Sequence, residues 1–205
     1  MRFILASQSP ARLAVLRAAG LAPEQIVSGV DEEAFRADSP AELALQLAIA
    51  KSQTVAAQVG AGAVVVGCDS VLDFDGEALG KPADLDDARQ RWRRMRGKDG
   101  VLVTGHCVVD TRAGADPDVW RVAIDVNPTM VRFAEISDEE LEAYLASEEP
   151  LHVAGAFTLD GLGGWFVESI VGDPSNVVGI SLPLLRRLLN EVGVSVAELW
   201  RTHHA

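Results

Sequence analysis

Asp69 is a charged residue next to an apolar stretch, which makes it a candidate catalytic or ligand-binding residue. It follows residues 63–67, an apolar, valine-rich run that predicts a buried strand with Asp69 at or just beyond its carboxyl end. A carboxylate there is unfavourable unless a metal, a cation or a hydrogen bond compensates its charge. An aspartate at a strand end can also simply cap a turn, and the local sequence leaves both interpretations open.

A second candidate is the segment Ser7-Gln8-Ser9-Pro10-Ala11-Arg12, which joins a short apolar run to a helical pattern. Ser9 suits the N-cap and Pro10 the first helical position. The free backbone N–H groups of such a helix start, together with Arg12, favour an anion such as phosphate. Because Ser-Pro at a helix start is in most cases only a cap, this segment alone does not establish phosphate binding.

Two lysines and one glutamate complete the set of candidates. Lys81 lies in Gly80-Lys81-Pro82, where the glycine lets a ligand approach and the proline stiffens the chain. Lys51 lies on a predicted helix that begins at Ser39, and Glu32 lies in an acidic loop. Taken singly, Lys51 and Glu32 are explained as solvated side chains.

The predicted elements would bring these residues together. Residues 3–6 predict a strand, and residues 9–20 a helix. Residues 71–79 predict a hairpin with a primed turn at Asp75-Gly76, which returns Lys81 toward Asp69. Further helices are predicted over residues 84–96, after Ser137 and over residues 182–189, and further strands over residues 101–110, 119–125 and 165–170. We therefore expect one α/β domain over residues 1–205.

The composition argues against several classes of protein. The net charge of −12 disfavours a general nucleic-acid binder. The basic run over residues 89–98 is the alternative, a nucleic-acid module, although its acidic first turn and helical spacing favour a surface helix. Two cysteines without CxxC spacing predict buried free thiols rather than a zinc or redox site. The chain shows neither a membrane-length apolar stretch nor a secretory signal, so a cytoplasmic location is expected.

Taken in order, the motifs resemble those of the Maf family of nucleotide pyrophosphatases over nearly the whole chain. The segments that carry the resemblance are Leu5-Ala6-Ser7-Gln8-Ser9-Pro10-Ala11-Arg12, Val30-Asp31-Glu32, Ala50-Lys51, Gly67-Cys68-Asp69-Ser70-Val71, Gly80-Lys81-Pro82, Glu149-Pro150, Ala154-Gly155-Ala156 and Gly161-Leu162-Gly163-Gly164. The resemblance implies a mixed central sheet flanked by helices, with two lobes around a cleft as in Maf and ITPase proteins. It also implies cleavage of a nucleoside triphosphate between the α and β phosphates, a divalent cation (Mg²⁺ or Mn²⁺) and a homodimer.

The resemblance further implies roles for single residues. Those roles are general base and metal ligand for Asp69, metal support for Glu32, a phosphate clamp of Arg12, Lys51 and Lys81, and contact with the leaving pyrophosphate for Ser7 and Ser9. The chemistry agrees with these roles, since a triphosphate needs cations and a metal, and the attacking water needs a carboxylate.

Three positions depart from the family pattern and concern selectivity. Ala11 stands where many members have a second arginine. Ser70 is closer to the members that resemble the thymidine and uridine triphosphate group, whereas Asp160 is closer to those that resemble the 7-methylguanosine triphosphate group. The base therefore stays open at this point, as does a second hypothesis, a non-catalytic nucleotide sensor or cell-division regulator that uses the same cleft.

Overall fold

A computed structural model describes residues 1–203 of the chain. Its strands are β1 (Arg2–Leu5), β2 (Glu24–Gln25), β3 (Ala63–Phe74), β4 (Glu77–Leu79), β5 (Asp99–Asp110), β6 (Arg121–Phe133) and β7 (Val167–Val171). Its α-helices are α1 (Pro10–Ala18), α2 (Pro40–Val59), α3 (Leu85–Met95), α4 (Asp138–Leu145), α5 (Pro174–Val178), α6 (Leu182–Glu191) and α7 (Val196–His203). Short 3-10 turns lie at Glu32–Ala34, Pro117–Val119, Glu149–His152, Ala154–Ala156 and Leu162–Phe166.

The strands form one mixed sheet in the order β2-β1-β3-β5-β6-β7, and β4 also pairs with β3. β1 runs parallel to β2 and β3, whereas the remaining pairs are antiparallel. This sheet, with helices against it, confirms the predicted mixed α/β class.

Strand β3 has a gap along one of its edges. β1 pairs with β3 only as far as Val66, which lies opposite Leu5, and β4 pairs with β3 only from Leu72 onward, where Leu72 lies opposite Leu79. Residues 67–71 of β3 therefore have β5 on one side and no strand of residues 1–203 on the other. Asp69 and Ser70 lie in this gap, which opens the sheet where the chemistry was predicted.

The prediction that β3 ends near Gly67 is wrong. The strand continues to Phe74, because β5 pairs with it from Val64 opposite Asp110 to Asp73 opposite Val101. Asp69 thus lies inside a long strand and beyond the end of its parallel neighbour, rather than at a strand terminus.

The turn and the helix caps, which were predicted from local sequence signals, were placed more accurately than the end of β3. Asp75 and Gly76 both have positive φ, as a two-residue primed turn requires, and they join β3 to β4 in the predicted hairpin. Ser9 caps α1, and Ser137 begins the predicted helix α4 with a capping box, in which Ser137 and Glu140 each accept a hydrogen bond from the backbone N–H of the other. At the start of α2 only half of that box forms: Ser39 accepts from Glu42, whose carboxylate accepts from Asp38 instead.

Some elements differ from the prediction or were not predicted. The strand predicted over residues 165–170 begins two residues later, because residues 162–166 form a 3-10 turn. β2, α5 and α7 were not predicted, and the first two are too short to show a periodic pattern. Both cysteines are buried free thiols, as predicted.

Helices cover both faces of the sheet. Alternate β3 residues face α2 on one side, with Ala63 and Val65 in its apolar cluster, and face α1 and α6 on the other, with Val64 and Val66. A further apolar cluster holds α3 and α4 against the later half of β3, with Trp92 at its centre. The gap at residues 67–71 lies between these groups, which gives two lobes.

Two glycines let α2 approach the sheet closely. A Cβ on Gly67 would lie 2.4 Å from the carbonyl oxygen of Ala48, and one on Gly105 would lie 2.3 Å from that of Ala44. Gly105 is the cross-strand partner of Asp69. The helix that carries Lys51 therefore packs its backbone against the sheet beside Asp69. Within residues 1–203, no helix is long and apolar enough to cross a membrane.

Candidate active site

A cleft of about 970 Å³ opens at the gap in the sheet. It is lined by every residue that the sequence singled out: Ser7, Ser9, Ala11, Arg12, Glu32, Lys51, Asp69, Ser70, Lys81 and Asp160. A smaller hollow of about 420 Å³ surrounds the exposed Trp165 and contains none of them.

Asp69 and Lys51 form a buried ion pair at the floor of the cleft. The Lys51 Nζ lies 2.5 Å from Asp69 Oδ1 and 2.6 Å from Glu32 Oε1, so one ammonium bridges two carboxylates. Lys51 and Asp69 are each 7% exposed, whereas the Glu32 side chain is about half exposed on a 3-10 turn. The site therefore joins a rigid pair from α2 and β3 to an acidic residue from a surface loop.

The environment of Asp69 favours a proton acceptor. Burial raises the pKa of the Asp69 carboxyl above its usual range, and the positive charges of Lys51 and Arg12 oppose that shift. A carboxylate with a raised pKa is a stronger base than an exposed aspartate, which suits the activation of a water molecule. Asp69 is thus held charged by its cations in a place where burial increases its affinity for a proton.

Arg12 occupies the opposite face of β3, where all of its hydrogen-bond partners are neutral. Its Nε donates to the carbonyl oxygen of Gly179 at 2.8 Å. One terminal nitrogen donates to Ser7 Oγ at 3.2 Å, and the other donates to Ser70 Oγ at 3.1 Å. Asp69 and Ser70 are neighbours in a strand, so their side chains point to opposite faces.

This arrangement leaves the charge of Arg12 without a counter-ion. Arg12 is only 9% exposed, and it forms no ion pair with any residue in the described part of the chain. Three of its five N–H groups are used by the neutral acceptors, and two remain. A buried guanidinium with two free donors is suited to bidentate binding of a phosphate or another oxyanion.

Lys81 lies on a braced turn at the edge of the cleft. The carbonyl oxygen of Gly80 accepts from Arg91, at 2.7 Å, and from the backbone N–H of Gly155. The Lys81 side chain is exposed, and it has no hydrogen bond or ion pair within residues 1–203. The hairpin thus presents a free ammonium to the cleft, as the sequence predicted.

The three positions predicted to govern selectivity differ in how tightly they are held. Ala11 lies in the first turn of α1 and lines the cleft. The Ser70 hydroxyl is engaged by Arg12 and also by Thr104 Oγ1 at 2.9 Å. Asp160 is exposed on a loop and has no hydrogen bond among the described residues. That loop is held by the Glu149 carboxylate, which accepts hydrogen bonds from Tyr144, Thr158, Leu162 and Gly163.

Sequence reasoning missed the residues behind Arg12. Thr104 lies opposite Ser70 in β5, Asn176 lies in α5, and Gly179 is the C-cap of that helix. Thr104 sits in a strand that was predicted, but its contact with Ser70 depends on the register between β3 and β5, which the sequence did not give. A turn signal was visible in this part of the sequence, at Gly172-Asp173-Pro174-Ser175-Asn176. It could have indicated that the segment with Asn176 and Gly179 also contributes to the site.

The arginines of α3, and Arg96 directly after it, form ion pairs within the protein. Arg89, Arg91, Arg93, Arg94 and Arg96 each form an ion pair with a nearby aspartate or glutamate. This agrees with the surface-helix interpretation of residues 89–98.

Comparison with known proteins agrees with these features. The family model described as Maf-like protein matches residues 2–192. A nucleoside triphosphate pyrophosphatase of Streptomyces coelicolor is 60% identical over 200 residues, which covers 97% of this chain and 94% of that protein. A nucleoside triphosphate pyrophosphatase of Nocardia farcinica is 57% identical over 206 residues, which covers 97% of this chain and 96% of that protein.

One solved structure is also similar. It is a nucleoside-triphosphatase / dITP/XTP pyrophosphatase from Mycobacterium abscessus, with 17% identity and a TM-score of 0.39, and the match covers 66% of this chain and 74% of that chain. A score this low bears on neither fold nor function.

Proposed function

This chain belongs to the Maf family, and from that premise we propose that it is a nucleoside triphosphate pyrophosphatase acting in the cleft at the gap of β3. It hydrolyses a nucleoside triphosphate to the monophosphate and pyrophosphate. The full-length relatives named as such enzymes support the reaction. The observation that carries the assignment to this cleft is the buried Arg12, a cation without a counter-ion beside the Asp69–Lys51 pair.

The phosphates of the substrate bind at the cationic side of the cleft. Arg12 offers its two free N–H groups, and Lys81, which lines the same cleft, offers a free ammonium. The start of α1, capped by Ser9, adds the positive end of a helix. Ser7 and Ser9 lie beside Arg12, so we assign them to the pyrophosphate that leaves.

Asp69 acts as the general base. It accepts a proton from the water that attacks the α phosphorus, and the bond from that phosphorus to the oxygen bridging to the β phosphorus breaks. Lys51 keeps Asp69 charged and neutralises Glu32, so that the triphosphate does not meet two bare carboxylates. The cost of the negative charge that accumulates on pyrophosphate is lowered by Arg12 and Lys81.

Lys51 contacts one oxygen of each carboxylate, and the second oxygens of Asp69 and Glu32 would hold a divalent cation together with phosphate oxygens of the substrate. No group of three or more His, Cys, Asp and Glu side chains in residues 1–203 could hold a metal by itself. Mg²⁺, however, is usually held by one or two carboxylates and completed by phosphate oxygens and water. When bound, Mg²⁺ or Mn²⁺ would neutralise phosphate charge and orient the oxygens for displacement.

Other properties stay predictions from the sequence and its family. These are the Mg²⁺ or Mn²⁺ requirement, the homodimer, the cytoplasmic location, the absence of nucleic-acid binding and the part of Ala11, Ser70 and Asp160 in base selectivity.

The experiment is a nucleotide panel with detection of pyrophosphate. The purified protein is incubated with Mg²⁺ or Mn²⁺ and each standard and modified nucleoside triphosphate, and we expect release of pyrophosphate from at least one. The Asp69→Asn variant is the control for a contaminating enzyme. No turnover of any nucleotide by the wild type would refute the proposal, and tight nucleotide binding without turnover would favour the sensor hypothesis.

A further inference from the structure

We propose that Thr104 is a positioning residue for this reaction, because its hydroxyl closes a ring of hydrogen bonds that fixes the guanidinium of Arg12. The inference rests on the proposed function only in taking Arg12 as the phosphate-binding cation. Thr104 is fully buried and is not part of the cleft wall. Any effect of its hydroxyl on a bound substrate must therefore pass through other side chains.

The ring has two arms that start at Arg12 and end at the same carbonyl oxygen. In the first arm, Arg12 Nε donates to Gly179 O, and the N–H of Gly179 donates to Asn176 O at 2.9 Å. In the second arm, the Arg12 terminal nitrogen donates to Ser70 Oγ, which lies 2.9 Å from Thr104 Oγ1. Thr104 Oγ1 then donates to Asn176 O at 3.3 Å, which closes the ring.

The directions of these hydrogen bonds are determined by the groups at the two ends. A guanidinium can only donate and a carbonyl oxygen can only accept. Thr104 therefore gives its single proton to Asn176 O, and Ser70, which accepts from Arg12, gives its proton to Thr104. Both hydroxyls have their protons assigned by the ring, so Ser70 cannot rotate without breaking one of these bonds.

The anchor of the ring is itself fixed. Asn176 is fully buried, and its Nδ2 donates to the carbonyl oxygens of Leu102 and Asn127 and to Thr129 Oγ1. The carbonyl on which both arms converge is thus attached to β5 and β6. The position of Arg12 is therefore fixed by contacts with β5 and β6 in the sheet and not by the surface loops of the cleft.

A ring of neutral acceptors has a consequence that a carboxylate partner would not have. A carboxylate could also hold Arg12 in place, but it would cancel the charge that attracts phosphate. Hydroxyls and carbonyls orient the guanidinium and leave both the charge and two N–H groups available. Thr104 therefore has a part in substrate binding although it does not touch the substrate.

The test compares two substitutions at Thr104. Thr104→Val has nearly the same shape but lacks the hydroxyl, so we expect the dissociation constant of pyrophosphate, measured by calorimetry, to rise about tenfold. The KM for the preferred nucleotide should rise with it, while kcat changes less. Thr104→Ser keeps the hydroxyl and should stay within about threefold of the wild type.

Thr111→Val is the matched control for a general loss of stability. Thr111 is also fully buried and hydrogen-bonded, but its hydroxyl contacts Gly60 and Ala63 at the far end of β5. Its loss should lower the melting temperature and leave pyrophosphate binding unchanged. If Thr104→Val does not fold, Thr104→Ala removes the same hydroxyl without introducing a second methyl group.

A double-mutant cycle tests whether Thr104 acts through Ser70. If it does, Ser70→Ala with Thr104→Val should bind pyrophosphate no more weakly than Ser70→Ala alone. Independent, additive losses would overturn the proposal, as would wild-type affinity in both Thr104→Val and Thr104→Ala. These experiments measure pyrophosphate binding, so they can contradict the role of Thr104 while the wild type still hydrolyses nucleotides. Conversely, the nucleotide panel can show no turnover while the binding measurements support the role of Thr104.

Discussion

Lys51 and Arg12 are both cations with less than a tenth of their surface exposed, and they reach neighbouring residues of β3 from opposite faces of the sheet. Lys51 lies between the carboxylates of Asp69 and Glu32. Arg12 contacts two hydroxyls and one carbonyl oxygen, none of them charged. Neighbouring residues of β3 are thus contacted by one cation that is neutralised by carboxylates, Lys51, and by one that is not, Arg12.

This difference divides the work of the site. Desolvating an unpaired cation is unfavourable, so Arg12 gains most when an anion enters. Lys51 is already neutralised, and its effect falls on the ionisation of Asp69. We therefore infer that the Arg12 face binds phosphate and that the Lys51 face prepares the base. Each of the following predictions addresses one side of that division.

The largest effect is expected from Asp69→Asn, which removes the base and keeps the shape of the side chain. Because general base catalysis contributes about 10²- to 10⁴-fold, kcat should fall by a factor in that range. Pyrophosphate binding should change far less, because the Arg12 face stays intact. Steady-state kinetics and calorimetry measure the two quantities, and circular dichroism checks that the fold persists. A variant with wild-type kcat would remove Asp69 from the role of base.

The next effect concerns Arg12. Arg12→Met should weaken pyrophosphate binding and lower kcat/KM by about 10²-fold. The reason is that Arg12, unlike Lys51, has no carboxylate partner within residues 1–203, so its charge is available to phosphate. Arg12→Lys keeps a charge but cannot make three fixed contacts and still offer two donors, so it should recover only part of the loss. Equal activity of Arg12→Lys and the wild type would show that charge alone, without orientation, is sufficient.

The sequence predicted the elements of the fold better than their ends. Hairpin, caps and helices followed from local signals, such as Asp75-Gly76 and the box at Ser137, that act within a few residues. The end of β3 was misplaced because it depends on pairing with β5, which is distant in sequence. Gly67, which indicated a strand end, instead allows the backbone of α2 to approach.

The candidate site was likewise predicted as a set of residues, but without its contacts. All ten residues line one cleft, which their order along the chain already suggested. The sequence could not show that Lys51 bridges Glu32 and Asp69, or that Arg12 lacks a counter-ion, because both facts depend on which face of β3 each helix covers. Thr104 was missed for the same reason, since its register opposite Ser70 is a tertiary property.

A smaller effect is expected from Lys51→Met. At neutral pH, kcat/KM should fall about tenfold, the cost of losing a hydrogen bond to a charged group. The variant should also change the pH profile. Asp69 must be deprotonated to act, so activity rises with pH through its pKa, which burial raises and Lys51 lowers. Without Lys51 the acidic limb of kcat/KM should move to higher pH. In Arg12→Met the shift should be smaller, and an equal shift in both variants would contradict the division between the faces.

The smallest effect is on stability and involves His106, which lies behind Arg12. Burial, with a smaller contribution from the charge of Arg12, lowers the pKa of His106 to about 4, and the neutral ring accepts a hydrogen bond from the N–H of Ser181 at 2.8 Å. The unfolded chain binds this proton below about pH 6.5, whereas the folded protein binds it only near pH 4. Acid therefore favours unfolding between these values, and the contribution of the neutral ring is complete only above pH 6.5.

Between pH 6.5 and 5.5 this linkage should lower the free energy of unfolding by about 1 kcal/mol. Denaturant titrations at the two pH values measure the change, and His106→Gln, which does not titrate, is the reference for all other groups. An equal loss in wild type and variant would show that His106 does not contribute. In Arg12→Met the pKa of His106, followed by NMR, should rise because an uncompensated positive charge has been removed. An unchanged pKa would mean that the charge of Arg12 is already compensated, which would contradict the contrast between Arg12 and Lys51.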